Sequence, residues 1–208
     1  PAHELLDEHL LNDVGWRTRL REQLREGGLP PTYTTHPVVL AAGDALVLPV
    51  ALFIDGVPYS QTDSVLGFWL VNLVNGKRYL YATLRKNRVC RCGCRGWCTL
   101  YHVFAVSAWQ LRALASGVYP NSRHDNAPWR PEDSTRRGFA GDALPMVCAC
   151  LYIKGDWVEY SSTLGLPALR DSPRPYYCYP ADKAGMFVAA GNAVEALRWP
   201  ANEESDGG

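Results

Sequence analysis

The 208-residue sequence predicts a mixed α/β domain, with three consecutive strands, a helix, and a fourth strand parallel to the first. Three observations point there. "DALVLPVALFID" (44–55) is a continuous apolar run rich in Val and Leu, the pattern of a central strand covered on both faces. "SVLGFWLVNLVNGKRYLYATLR" (64–85) reads as two strands joined at an Asn-Gly hairpin turn. "ALPMVCACLYIKGDW" (143–157) is a further apolar strand that follows a helical stretch. It can therefore return beside the first strand through a right-handed crossover.

The elements follow in chain order. Residues 2–28 carry Leu6, Leu10, Leu20 and Leu24 at helical spacing and end in Gly-Gly, so they form one helix or two, split near Gly15. "LPPTYTTHP" (29–37) is a linker. In the first strand, Pro49 removes a ladder donor and argues for a bulge or an edge. "LYHVFAVSAWQLRALASGVYP" (100–120) is a helix stopped by Gly117 and Pro120. Residues 121–142 are polar and punctuated, a loop with one helical turn. After the fourth strand come a short helix from Asp156, a loop, a last helix over 184–199 and a frayed tail.

That order is the ribonuclease H-like arrangement. The boundaries are an N-terminal helical segment at 1–30, a ribonuclease H-like domain at 31–200 with a Cys-rich insertion at 88–102, and a disordered tail at 201–208. The longest apolar stretches run to about ten residues, too short to span a bilayer. No signal peptide is visible, so an intracellular setting with reduced cysteines is expected.

Charge is balanced overall, at 21 cations and 21 acids, but unevenly spread. Ser64 to His124 contains no Asp or Glu and nine Lys and Arg residues. A local basic segment of this kind can hold a polyanion. Arg85, Lys86, Arg88, Arg91 and Arg95 are the candidate phosphate contacts. Solvated arginines paired with acids elsewhere are the plainer alternative.

Cys90, Cys92, Cys94 and Cys98 form C-x-C-x-C-x₃-C, with His102 four residues on. Thiolates and imidazole bind Zn²⁺ tetrahedrally, and four ligands close a structural site. Three thiolates plus Cys98 or His102 is the expected set, and Gly93 and Gly96 allow the backbone to bend tightly around the ion. Cys148 and Cys150 read as small core residues, and Cys178 as a leftover ligand or buried thiol. Trp69, Trp97 and the other tryptophans read as core packers or shields for the cysteines. Trp97, among arginines, is also a base-stacking candidate.

Asp55 and Asp156 each end an apolar strand, 101 residues apart. Carboxylates gathered at one point repel unless divalent cations neutralise them, and Mg²⁺ or Mn²⁺ prefers oxygen ligands. Paired ions of this kind drive phosphodiester transfer. Each aspartate also has a local explanation: Asp-Gly is a turn dipeptide, and Asp156 with Glu159 fits a capping box.

"IDGVPYSQTDSVLGFWLVNLVNGKRYL", "CRCGCRGWCTLY" and "LYIKGDWVEYSSTLGLP" resemble dinoflagellate transposon-derived proteins. More distantly they are similar to DDE-type, CACTA-like DNA transposases with a ribonuclease H-like core. The resemblance covers roughly Pro31 to Asp182. It implies Asp55 as the first metal ligand and Asp156 as the second, with Glu195 as the late candidate for the third. The family's cysteine pair is reduced here to Cys178. The implied function is Mg²⁺- or Mn²⁺-dependent cleavage and strand transfer on DNA in the nucleus, with self-association allowed and no membrane. A domain lacking the third acid would be an inactive or fragmentary copy. The alternative is a non-catalytic, zinc-stabilised module that binds nucleic acid or protein.

Overall fold

The chain is organised around one strand, β1 (Val47–Pro58), whose first six residues are all buried. In the computed structural model the described residues are 1–58, 60–61, 63–94 and 96–155. β1 pairs antiparallel with β2 (Ser64–Asn72), and β2 antiparallel with β3 (Arg78–Arg85). On its other side β1 pairs parallel with β4 (Val147–Gly155), giving the order β3-β2-β1-β4. The three consecutive strands and the parallel fourth strand are therefore as expected.

Pro49 sits beside the irregularity it predicts. It lies opposite Ala149, and the β1–β4 register shifts one step later, between Val50 and Ala51. The β1–β2 ladder starts only at Val50, so no partner there needs the missing donor. The hairpin is longer than a two-residue Asn-Gly turn. Residues 73–77 form the loop, closed by Gly76 N–H to Asn72 O at 2.8 Å, with Gly76 at φ +72.

α1 (Ala2–Asn12) and α2 (Trp16–Glu26) break at Gly15, and Gly27 ends α2 in the left-handed conformation. α4 (Trp97–Ser116) connects β3 to β4, and Gly117 stops it at φ +67. Its buried Leu100, Phe104, Ala108, Leu111 and Leu114 recur every three or four residues, the stripe that faces the sheet. Leu6, Leu10, Trp16 and Leu20 join Leu48, Val50, Leu52, Leu111 and Leu114 in the main core on this inner face. Leu24, counted in the same stripe, is instead 37% exposed.

α3 (Pro37–Ala42) rises out of the expected linker. His36 caps it by accepting the Val38 N–H at 3.2 Å, and Pro37 supplies a helical φ at the first position. α3 lies over the outer sheet face, where Val47, Ala149, Leu151 and Tyr33 are buried together. α5 (Ser134–Phe139) is the helical turn expected in the long loop. No helix among the described residues is long and apolar enough to cross a membrane.

Candidate metal centre and strand-end carboxylate

β3 runs out at Arg85, a 3₁₀ turn follows (Lys86–Arg88), and the chain then doubles back to start α4 at Trp97. Two glycines make the reversal. Gly93 and Gly96 take φ of +96 and +86, which residues with a Cβ rarely adopt. Thr99 Oγ1 accepts the Cys90 N–H at 3.0 Å and ties the loop to the first turn of α4.

The loop brings Cys90, Cys92, Cys94 and Cys98 together, with all four sulfurs within 4.8 Å of one another. Cys92 Sγ and Cys98 Sγ are 3.8 Å apart. A tetrahedron with zinc–sulfur bonds of about 2.3 Å has sulfur–sulfur edges of about 3.8 Å. The four thiols thus have the chemistry and spacing to hold a metal ion such as zinc. His102 is not part of the group; its exposed ring lies against Tyr101, with centroids 5.7 Å apart. Between Cys98 and His102, the fold selects the cysteine.

Hydrogen bonds polarise the cluster. The Cys98 N–H, in the first turn of α4, donates to Cys94 Sγ at 3.4 Å. That bond, with help from the neighbouring thiols, pulls Cys94 down to about 6. Cys98 shares protons with Cys94, Cys92 and Cys90 and is pushed up to about 12. Metal binding would take the group as thiolates. Cys148 and Cys150 face the main core instead, where burial pushes both thiols up.

Lys86, Arg88 and Arg91 are exposed on the segment that leads into the cluster. Arg85 is committed locally: its Nε and Nη2 donate to Asp63 Oδ2 at 3.1 and 2.9 Å. Asp63 Oδ1 also accepts the Ser64 and Asn87 N–H groups, so this carboxylate stitches β2 to the turn after β3. As a phosphate contact Arg85 is therefore partly neutralised. Arg95 lies outside the described residues.

Asp55 stands half-buried near the end of β1, opposite Gly67 of β2. The cluster lies at this same end of the sheet, because Leu100 and Phe104 of α4 pack on Ile54, Leu66 and Phe68. Trp97 packs there too, stacked on Phe104 at 5.8 Å. Asp156, Glu195 and Cys178 lie outside the described residues.

Trp69 is expected to pack the core or shield the cysteines. It points to the outer face instead, tilted against Phe53 at 5.3 Å, with the Arg78 guanidinium 4.6 Å over Phe53. The signal was present in the strand itself: Trp69 sits between Phe68 and Leu70, both buried inward, so alternation turns it out. A cleft of about 510 Å³ between α1 and α5 shares no residue with this end of the sheet. Its Glu4, Asp7, Glu132 and Asp133 make it unsuited to phosphate.

Comparison of the chain with protein-family models, with curated proteins and with solved structures finds no match.

Proposed function

We propose that the chain is a ribonuclease H-like domain of the DDE-transposase kind, which cleaves and joins DNA with Mg²⁺ or Mn²⁺. What supports it is one relationship. β1 and β4 are parallel neighbours, and their last pair is Ile54 with Gly155. The next residues in the two chains are Asp55 and Asp156. Neighbouring strands are about 4.8 Å apart, close enough for two such carboxylates to share divalent cations. Those ions would activate the attacking oxygen and stabilise the leaving one. Glu195 is the candidate third ligand. Zinc on the four cysteines is structural: it clasps the end of β3 to the start of α4. Lys86, Arg88 and Arg91 hold the DNA backbone without regard to sequence. A DNA substrate also implies a nuclear site of action.

The test is incubation of the full chain with labelled duplex DNA and Mg²⁺ or Mn²⁺. Asp55→Asn and Asp156→Asn should each abolish cleavage and leave DNA binding intact. Undiminished cleavage by Asp55→Asn would rule out the two-carboxylate site.

The cysteine cluster with its exposed cations favours a second function, a zinc-clasped module that binds nucleic acid without cutting it. Salt-dependent DNA binding, with no metal-dependent cleavage by the unaltered chain, would select that function.

A further inference from the structure

Among the described residues, the outer face of the sheet is covered unevenly. α3 and Tyr33 shelter the half that carries Val47, Ala149 and Leu151. From the edge of that sheltered cluster outward, the face presents one aromatic residue from each of three strands: Tyr152 of β4, which packs against the cluster, then Phe53 of β1 and Trp69 of β2, all half-buried. Phe53 and Trp69 are direct ladder partners, and Tyr152 pairs with Ala51, one step along the same face. Leu80 of β3, the partner of Trp69, is 47% exposed.

Cations stand among these rings. Exposed Arg78 reaches over Phe53, and exposed Lys154, the β4 partner of Phe53, lies 5.8 Å from the Tyr152 ring. The four strands contain a single acid, Asp55, at the margin of this patch. Flat rings on adjacent strands with positive charge between them match a ligand that offers both planar bases and negative phosphates. Bases in a duplex are already stacked on one another, whereas those of a single strand are free to stack on protein.

We propose that this face binds single-stranded nucleic acid, with bases stacked on Phe53, Trp69 and Tyr152 and phosphates met by Arg78 and Lys154. It rests on the nucleic-acid function proposed above and adds the form of the ligand and a second surface. A strand laid across this face would end beside Asp55.

The experiment is fluorescence anisotropy of the full chain with a labelled oligothymidylate and with a duplex of equal length. Trp69→Leu should weaken oligothymidylate binding roughly tenfold, the effect of losing one stacked base, and leave duplex binding within about twofold. The double variant Arg78→Gln/Lys154→Gln alters exposed side chains only. It should lower the salt slope for the single strand by about 1.4, two phosphates' worth. Unchanged oligothymidylate binding in both variants would overturn the proposal. So would an iodide-insensitive Trp69 signal in the free chain, taken as the difference from Trp69→Phe, because a second copy or another part of the chain would then already cover the face. Asp55→Asn should bind oligothymidylate normally, so failure of the platform and failure of the cleavage site are separate results.

Discussion

The indole of Trp69 lies directly over Gly67, two residues earlier on the same strand. A Cβ at position 67 would sit 2.6 Å from Cζ2 of the ring and closer still to Cη2. Gly67 has no unusual φ, so its requirement is space rather than backbone freedom. Gly67→Ala must drive the ring off the sheet. The expected effect is about 1–3 kcal/mol of lost stability, as for an overpacked site. Urea unfolding and a change in tryptophan emission would report it. A variant as stable as the parent, with unchanged emission, would show that the ring does not rest there.

The cysteine cluster predicts one equivalent of zinc per chain by native mass spectrometry. Cys94→Ser should lose it, whereas His102→Ala should retain it, because His102 stands outside the group of sulfurs. At free zinc a hundred times its dissociation constant, binding to the folded form alone adds about 2.7 kcal/mol. For a chain of this size that is roughly 5–10 °C in Tm, removable by a chelator. A Tm indifferent to zinc and chelator would make the four thiols a metal-free cluster.

His3 makes the fold acid-sensitive. Its side chain is 1% exposed, packed edge-on to Trp109 at 5.1 Å, and its Nδ1 has no hydrogen-bond partner among the described residues. Burial lowers its pKa to about 4, aided by Arg136 and opposed by Glu4. The folded chain therefore favours the neutral ring. Stability should be complete above the ordinary value near 6.5 and fall, by on the order of 3 kcal/mol, as pH drops from there to about 4. Glu4 extends the loss lower. Burial is the largest single influence and pushes its carboxyl up, but the Arg136 hydrogen bonds together with the charges of the N-terminus, Arg136 and His3 outweigh it and hold the carboxyl down, so its share is lost as pH falls below 4.5. Denaturant titrations at pH 7 and pH 5 should differ for the parent, and much less for His3→Leu.

Tyr81 and Ser107 join β3 to α4 through one partly buried hydrogen bond of 2.8 Å between their hydroxyls. They are not equivalent. Ser107 also donates to the Val103 carbonyl, so Tyr81→Phe leaves it satisfied. Ser107→Ala strands the Tyr81 hydroxyl inside the protein. The tyrosine variant should cost about 1 kcal/mol and the serine variant up to about 3. Equal costs in equilibrium unfolding would mean that water reaches the tyrosine.

Much of the scaffold was legible because it is written in local pattern. The unbroken apolar run marks β1 as a central strand, buried on both faces over Val47–Leu52, and the helix between β3 and β4 allowed β4 to lie parallel to β1. Gly27 and Gly117 mark helix ends by their own conformational freedom. α3 was harder to see, because six residues hold too little periodicity to stand out from a Pro-rich linker. For Arg85 the acid-free stretch leaves open a phosphate contact or a pairing with an acid elsewhere. Its partner, Asp63, lies just before that stretch begins, and the hairpin of β2 and β3 folds the two together.

The sequence by itself determined the order of the strands, the central place of β1 and the presence of a thiol-rich turn, since these depend on period and spacing along the chain. Only the tertiary structure decided that Cys98 rather than His102 joins the sulfurs, that Trp69 faces outward over Gly67, and that Arg85 is spent on Asp63. Those choices depend on distances between residues whose separation along the chain says nothing about their separation in space.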